Sequence, residues 1–333
     1  MKKLTLLFTM CFVLAYAQAQ DSKQMHENAK IFMRQGDYAN AILVLNRALQ
    51  SDPKNMAITK DLALSYYLQK DNDKALETIK IVIDNDDADD QAYQIAGNIY
   101  KQQEQPKEAE KLYKKALKKF PASGPLYNDL GELLWSQKNY DAIKQWEKGI
   151  EEDPSYSRNY YNATRFYFLT TDKVWSVLYG EIFVNMEPLS SKTPEIKQIL
   201  LDSYKKLFTN TEAEQGTKEK NAFVKKYLQV IAKQMPVAET GINTETLSMI
   251  RTRFILEWFN DKSSSKLPFK LFEQQQQLLR EGMFEAYNQW LFGPAQNLTA
   301  YQSWIGLHPK EAEAFNKFQT GRIFKIPQGQ YYK

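Results

Sequence analysis

The chain has 333 residues, with 44 Lys and Arg against 40 Asp and Glu, 13 Gly, 12 Pro, two His and one Cys. Gly and Pro fall below ordinary usage, which disfavours collagen-like, linker-rich and turn-dense all-β folds, and 43% hydrophobic residues disfavour wholesale disorder. One Cys and two His (His26, His308) argue against a disulfide scaffold, a Cys-rich metal cluster and a His-based metal site, while a net charge of +4 is too small for whole-molecule binding of nucleic acid.

The N-terminus reads as an export signal. Met1-Lys2-Lys3 is a short positive start, Leu4 to Ala15 an apolar run, and Ala17-Gln18-Ala19 a small-x-small exit, so cleavage is expected after Ala19. The run is too short to span a bilayer. Cys11 lies inside it, after Phe8-Thr9-Met10 rather than a lipoprotein-type approach, and reads as filler of the signal. The expected location is therefore secreted or periplasmic, in a bacterial-looking cell envelope, with a mature chain free of cysteine.

A period of about 34 organises the next 170 residues. Small residues recur at Ala29, Ala63, Gly97, Gly131 and Thr164, and a second track runs through Ala41, Ala75, Ala109, Ala142 and Ser176. Twelve residues after that track come Pro53, Asp87, Pro121, Pro154 and Pro188. Apolar residues between the marks keep helical spacing, as in Ile42, Leu45, Ala48 and Leu49. Small residues at fixed points let two antiparallel helices approach closely, and a Pro closes the second helix. Each unit is thus a helical hairpin that buries its apolar face only by stacking on its neighbours. The expected units are about 22–55, 56–89, 90–123, 124–156 and 157–190.

Residues 191–333 keep the helical style without the clear repeat. Helices are expected at about 195–208, 217–235, 244–260, 268–292, 295–306 and 310–319, with breaks at Thr209–Gly216, Pro236–Asn243, Asn260–Leu267, Gly293-Pro294 and His308-Pro309. The stretch near 281–319, with Tyr301, Trp304 and Pro309, reads either as a decayed repeat or as part of a separate capping domain. Charge divides along the chain: 22 basic and 26 acidic residues over 20–190, then 20 and 14 over 191–333.

Chemical motifs are sparse. There is no Gly-rich phosphate loop, HExxH, CxxC or GxSxG. The acidic run from Asp84 to Asp90 lacks the calcium-loop pattern and reads as a solvated loop between units. Lys114, Lys115, Lys118 and Lys119, with Glu108 and Glu110 a turn earlier, read as a charged outer helix face. Glu257, Asp261, Glu281 and Glu285 are the one set from which a hydrolase's carboxylate pair could be drawn, and pairs four apart on a helix are usually surface charge.

The units resemble the tetratricopeptide repeat family. Tyr93-x2-Ala96-Gly97-x2-Tyr100 with Ala109, Tyr113, Ala116 and Pro121 is close to the full pattern, and Tyr127-x2-Leu130-Gly131-x2-Leu134 with Ala142, Trp146 and Pro154 nearly so. The fifth unit, with Thr164, Ser176, Gly180 and Phe183, is degenerate. The resemblance implies an all-α, right-handed solenoid whose concave face takes an extended peptide or a partner helix. Carried onto this chain, the groove positions are Lys23, His26, Lys30 and Arg34, then Lys60, Leu64 and Tyr67, then Gln91, Gln94, Asn98 and Lys101. Asn128, Glu132 and Trp135 follow in the fourth unit, and Arg158, Tyr161, Arg165 and Phe168 in the fifth. Basic ends, an amide-rich middle and aromatic rings suit an extended peptide carrying acidic groups. Alternatively, Trp135 and Phe168 pack beneath the C-terminal half. The sequence therefore points to a non-enzymatic interaction scaffold of the envelope that needs no cofactor or metal and binds a protein or peptide rather than nucleic acid. A second reading is a module for carbohydrate or envelope polymer, built on Trp258, Trp290 and Trp304 if their rings are exposed.

Overall fold

The computed structural model describes residues 21–209, 220–262 and 266–333; the expected export signal lies outside them, as does most of the expected break after Thr209. The described residues form eighteen helices and no strand. The chain divides into two units, one ending at Leu133 and the other starting at Leu134.

The first unit holds α1 (21–35), α2 (Tyr38–Ser51), α3 (Met56–Leu68), α4 (Asn72–Ile83), α5 (Asp90–Gln102), α6 (Pro106–Lys119) and most of α7 (Gly124–Ser136). Each start has a local cause. Asp37, Asn55, Asp71 and Asp89 accept from backbone N–H groups in the first turns of α2 to α5 and Pro106 opens α6. Such caps contribute about 1 kcal/mol each. The ends fall where the Pro track places them, with α2 and α6 finishing two residues before Pro53 and Pro121.

The small-residue tracks are the helix crossings. Ala29, Ala41, Ala63, Ala75 and Ala109 are fully buried, and Ala29, Leu45, Ala48, Ile58 and Leu62 form one apolar cluster. The tightest crossing is at Gly97, where an added Cβ would lie 2.3 Å from the Tyr113 ring. Gly97→Ala is accordingly expected to cost about 1–3 kcal/mol through overpacking. Urea unfolding reads this directly, and an unchanged midpoint would mean that the ring simply swings aside.

The second unit holds α8 (Ala142–Glu152), α9 (Ser157–Leu169), α10 (Lys173–Met186), α11 (Thr193–Thr209), α12 (Ala222–Ala232) and the single turn α13 (Met235–Ala238). It continues through α14 (Thr244–Asn260), α15 (Lys270–Arg280), α16 (Phe284–Gln296), α17 (Leu298–Leu307) and α18 (Pro309–Thr320). Helices α8 to α11 pack in sequence, α11 also packs on α16, and α14 packs on α12, α15 and α16. A ring cluster fills this core: Phe223 stacks with Phe272 and meets Trp258 and Phe269 edge-on, and Tyr332 of the C-terminal segment lies flat on Phe223 at 4.5 Å.

Two helix boundaries differ from the sequence pattern. The helix expected over 268–292 is two, because Gly282 takes φ +73° and reverses the chain between α15 and α16. The break expected at Gly293-Pro294 does not occur, since α16 runs on to Gln296. Pro294 has no N–H for the carbonyl of Trp290, and Lys197 Nζ supplies the missing donor at 2.7 Å.

A buried polar network ties four helices of this unit together. Glu181 on α10, 1% exposed, is ion-paired with Arg251 on α14, 2% exposed. The same carboxylate oxygen accepts from Gln275 on α15 and from Tyr287 on α16, each at 2.6 Å. Arg251 also donates to Asn288, and Tyr287 accepts from Asn185, which accepts from Gln274 in turn. Burial disfavours the charge on Arg251, but Glu181 and the surrounding tyrosines outweigh it and hold the guanidinium protonated.

Candidate functional site

In the first unit most of the expected groove residues are tied to neighbours. His26 Nε2 lies 2.7 Å from Asp61, Gln94 donates to Asp129 at 2.9 Å, and Lys101 donates to Asn98 at 3.1 Å. His26–Asp61 and Gln94–Asp129 each join residues 35 apart in the chain, one repeat plus one residue, so they run from one hairpin's first helix to the next. Lys30 pairs with Glu27 at 3.0 Å and Lys60 with Asp89; Arg34 is exposed, Tyr67 half-buried and Asn128 buried. Burial raises the carboxyl of Asp129, and the amide of Gln94 partly counters this.

In the second unit the structure brings three of the expected residues, Trp135, Arg165 and Phe168, to the wall of one pocket of about 410 Å³. Its apolar wall also includes Trp146, Phe166, Leu169 and Ile199. The rings brace one another, Trp135 lying 6.1 Å from Trp146 and 5.8 Å from Phe166 between centroids. Trp146 is buried and its Nε1–H has no hydrogen-bond partner. The polar rim is Glu195, Gln198 and Asp202 from α11, with Arg165 on α9. Arg165 pairs with Glu195 at 3.0 Å, and Tyr161, itself buried, donates to the same carboxylate at 2.7 Å. Lys206 Nζ stands over the Phe168 ring at 4.2 Å, and Arg158 is exposed on α9.

The contribution of α11 was missed, although a signal for it exists. Glu195, Ile199 and Asp202 fall 34 residues after Tyr161, Arg165 and Phe168, so one further step of the period reaches all three. Helix α11 thus stands where a sixth first helix would stand, without the small-residue marks that made the earlier ones visible.

The other motifs have local employment. Asp89 caps α5, Asp90 accepts from Ser123 at 2.6 Å, and Lys119 donates to the carbonyls of Asp86 and Ala88, so the acidic run closes a loop. Glu257 pairs with Lys233 and Asp261 with Lys226. Trp258 is buried; Trp290 is half-buried beneath Lys197 and beside Tyr287, and Trp304 stacks on His308 at 4.8 Å. Those ring faces are largely occupied, which disfavours glycan stacking on them.

Two tetratricopeptide repeat family models match the chain, one over residues 32–99 and one over 90–133. The chain is a tetratricopeptide repeat protein. No curated protein matches it. Among solved structures, this tetratricopeptide repeat protein is similar in fold to pilF of Pseudomonas aeruginosa, at 15% identity over 61% of this chain and 91% of that one, with a TM-score of 0.50. A tetratricopeptide repeat protein of Parabacteroides merdae is 15% identical over 78% of this chain and 98% of its own, with a TM-score of 0.43. A thermophilic one from Thermus thermophilus is 14% identical over 54% and 99%, with a TM-score of 0.45. Such repeat proteins bind protein partners on the surfaces their stacked hairpins create. Among the described residues of this tetratricopeptide repeat protein, no helix is long and apolar enough to cross a membrane.

Proposed function

We propose that this chain is a non-enzymatic scaffold that is exported to the cell envelope and holds a protein partner at the aromatic pocket of its second unit. The pocket is the observation that carries this reading. Four aromatic side chains and Leu169 surround a space of about 410 Å³, with Arg165, Gln198 and Asp202 as polar groups in its lining. An extended peptide or a helix fits by inserting one apolar side chain among the rings. Lys206, over the Phe168 ring, is placed for an acidic group flanking that anchor. Export is supported by the Met1–Ala19 pattern, and the absence of catalytic motifs from the sequence supports a binding role.

The test is capture of envelope proteins by the mature chain, with bound species identified after crosslinking from a photoreactive residue at Phe166. Leu169 is 70% exposed, so Leu169→Arg leaves the core alone while placing a charge at the pocket mouth. It is expected to weaken the specific partner at least tenfold, on the order of what one hot-spot side chain contributes. A partner bound equally well by Leu169→Arg and by the unaltered protein would overturn the pocket assignment.

A further inference from the structure

A second pocket of the same unit, of about 460 Å³, lies between the start of α11 and the end of α16. Its walls combine apolar Pro188, Leu189, Pro194 and Pro294 with polar groups that include Ser190 and Lys197. Lys197 is the one charged side chain lining it and is 8% exposed. The ammonium donates to Trp290 O at 2.7 Å and stands 3.7 Å above the Trp290 ring.

Capping a carbonyl orphaned by Pro294 needs one N–H from a neutral donor. An ammonium brings three N–H groups and a full charge, which is costly to bury without a counter-ion. No carboxylate offsets it: burial alone accounts for the lowering of its pKa, to about 7. The nearest acids along its own helix and the preceding loop are engaged elsewhere, Glu195 with Arg165 and Tyr161, and Glu187 with Ser157 at 2.8 Å. Ser190 Oγ accepts from the N–H of Lys192 at 3.3 Å, which leaves its hydroxyl hydrogen to donate.

We propose that this pocket binds a small organic carboxylate with a short apolar tail, its anionic oxygens taken by Lys197 and Ser190 and its tail laid against the proline walls. The ligand would complete the ion pair that Lys197 lacks, and the volume lies within the range of small-molecule sites. This site is separate in chemistry from the aromatic pocket and does not depend on a protein partner.

The test is calorimetric titration of the mature protein at pH 6.5, where Lys197 is mostly charged, with hexanoate and with hexanamide as its uncharged analogue. Hexanoate is expected to saturate one site, and hexanamide to bind at least tenfold more weakly. Lys197→Met should weaken hexanoate at least tenfold. Ser190→Glu, which puts a competing carboxylate on the wall and leaves Lys197 in place, should do the same. Circular dichroism checks that each variant is folded, and the two substitutions are independent should one of them fail to fold. Failure of hexanoate to saturate, equal affinity for hexanamide, or unchanged hexanoate affinity in a folded variant would each overturn the proposal.

Discussion

Glu181→Ala is expected to destabilise the second unit by about 3–5 kcal/mol, a large part of the total stability of an ordinary domain. One Glu181 oxygen takes Arg251, Gln275 and Tyr287, so removing the carboxylate strands a buried guanidinium and two buried donors together. Asn288 still accepts from Arg251, but a neutral amide oxygen cannot offset a full charge at 2% exposure. The partner variant separates this charge effect from packing. Replacing both members, Glu181→Leu with Arg251→Met, removes the desolvation cost of the pair and is expected to recover most of the loss. The urea midpoint of each variant checks the prediction. A single-variant loss below about 1 kcal/mol, or a double variant no better than the single, would mean that the network does not hold these helices in register.

What sequence made visible, and what it hid, follows from the range of each interaction. The marks Ala29, Ala63, Ala41, Ala75 and Ala109 are all buried at crossings because close helix packing repeats with the period and leaves a trace at fixed positions. Pro53, Pro121, Pro154 and Pro188 mark helix ends because a missing N–H acts within one turn. Pro294 obeys the same chemistry, yet α16 continues, since its cost is met by Lys197, 93 residues from the Trp290 carbonyl it caps. Glu181 and Arg251 are 70 residues apart and belong to no periodic track, so pattern reading gives them no signal. The pocket falls between these cases. Trp135, Arg165 and Phe168 were reachable by carrying groove positions along the repeat, whereas Trp146 read as a repeat mark and Glu195 and Asp202 as residues beyond the last unit. Tyr161 and Asn128 belong to the same set but are buried, Tyr161 donating to Glu195 of α11 and Asn128 to Asp129 of its own helix.

The second large effect is a dependence of stability on pH that runs opposite to the usual alkaline loss. The ammonium of Lys197 loses its proton near pH 7 in the folded chain and at its ordinary value of 10.5 once unfolded. Below pH 7 both states carry the proton and the folded state bears the whole burial penalty. Between about 7 and 10.5 the unfolded chain holds a proton that the folded chain has released, so raising the pH favours folding. At about 1.4 kcal/mol per unit, stability is expected to rise by about 3 kcal/mol from pH 7 to 9.5. Above pH 10 the trend reverses. Burial pushes the hydroxyls of Tyr160, Tyr179, Tyr204, Tyr227 and Tyr287 above their ordinary range, so their stabilisation is complete below pH 10 and is lost as the unfolded chain ionises first. Urea unfolding at pH 6.5, 8 and 9.5 measures the slope, and Lys197→Met is expected to abolish the rise. A flat profile in the unaltered protein, or the same rise in Lys197→Met, would place the ammonium in water rather than in the wall between α11 and α16. Because this slope is read without any ligand, it tests the burial of the charge separately from what the pocket binds.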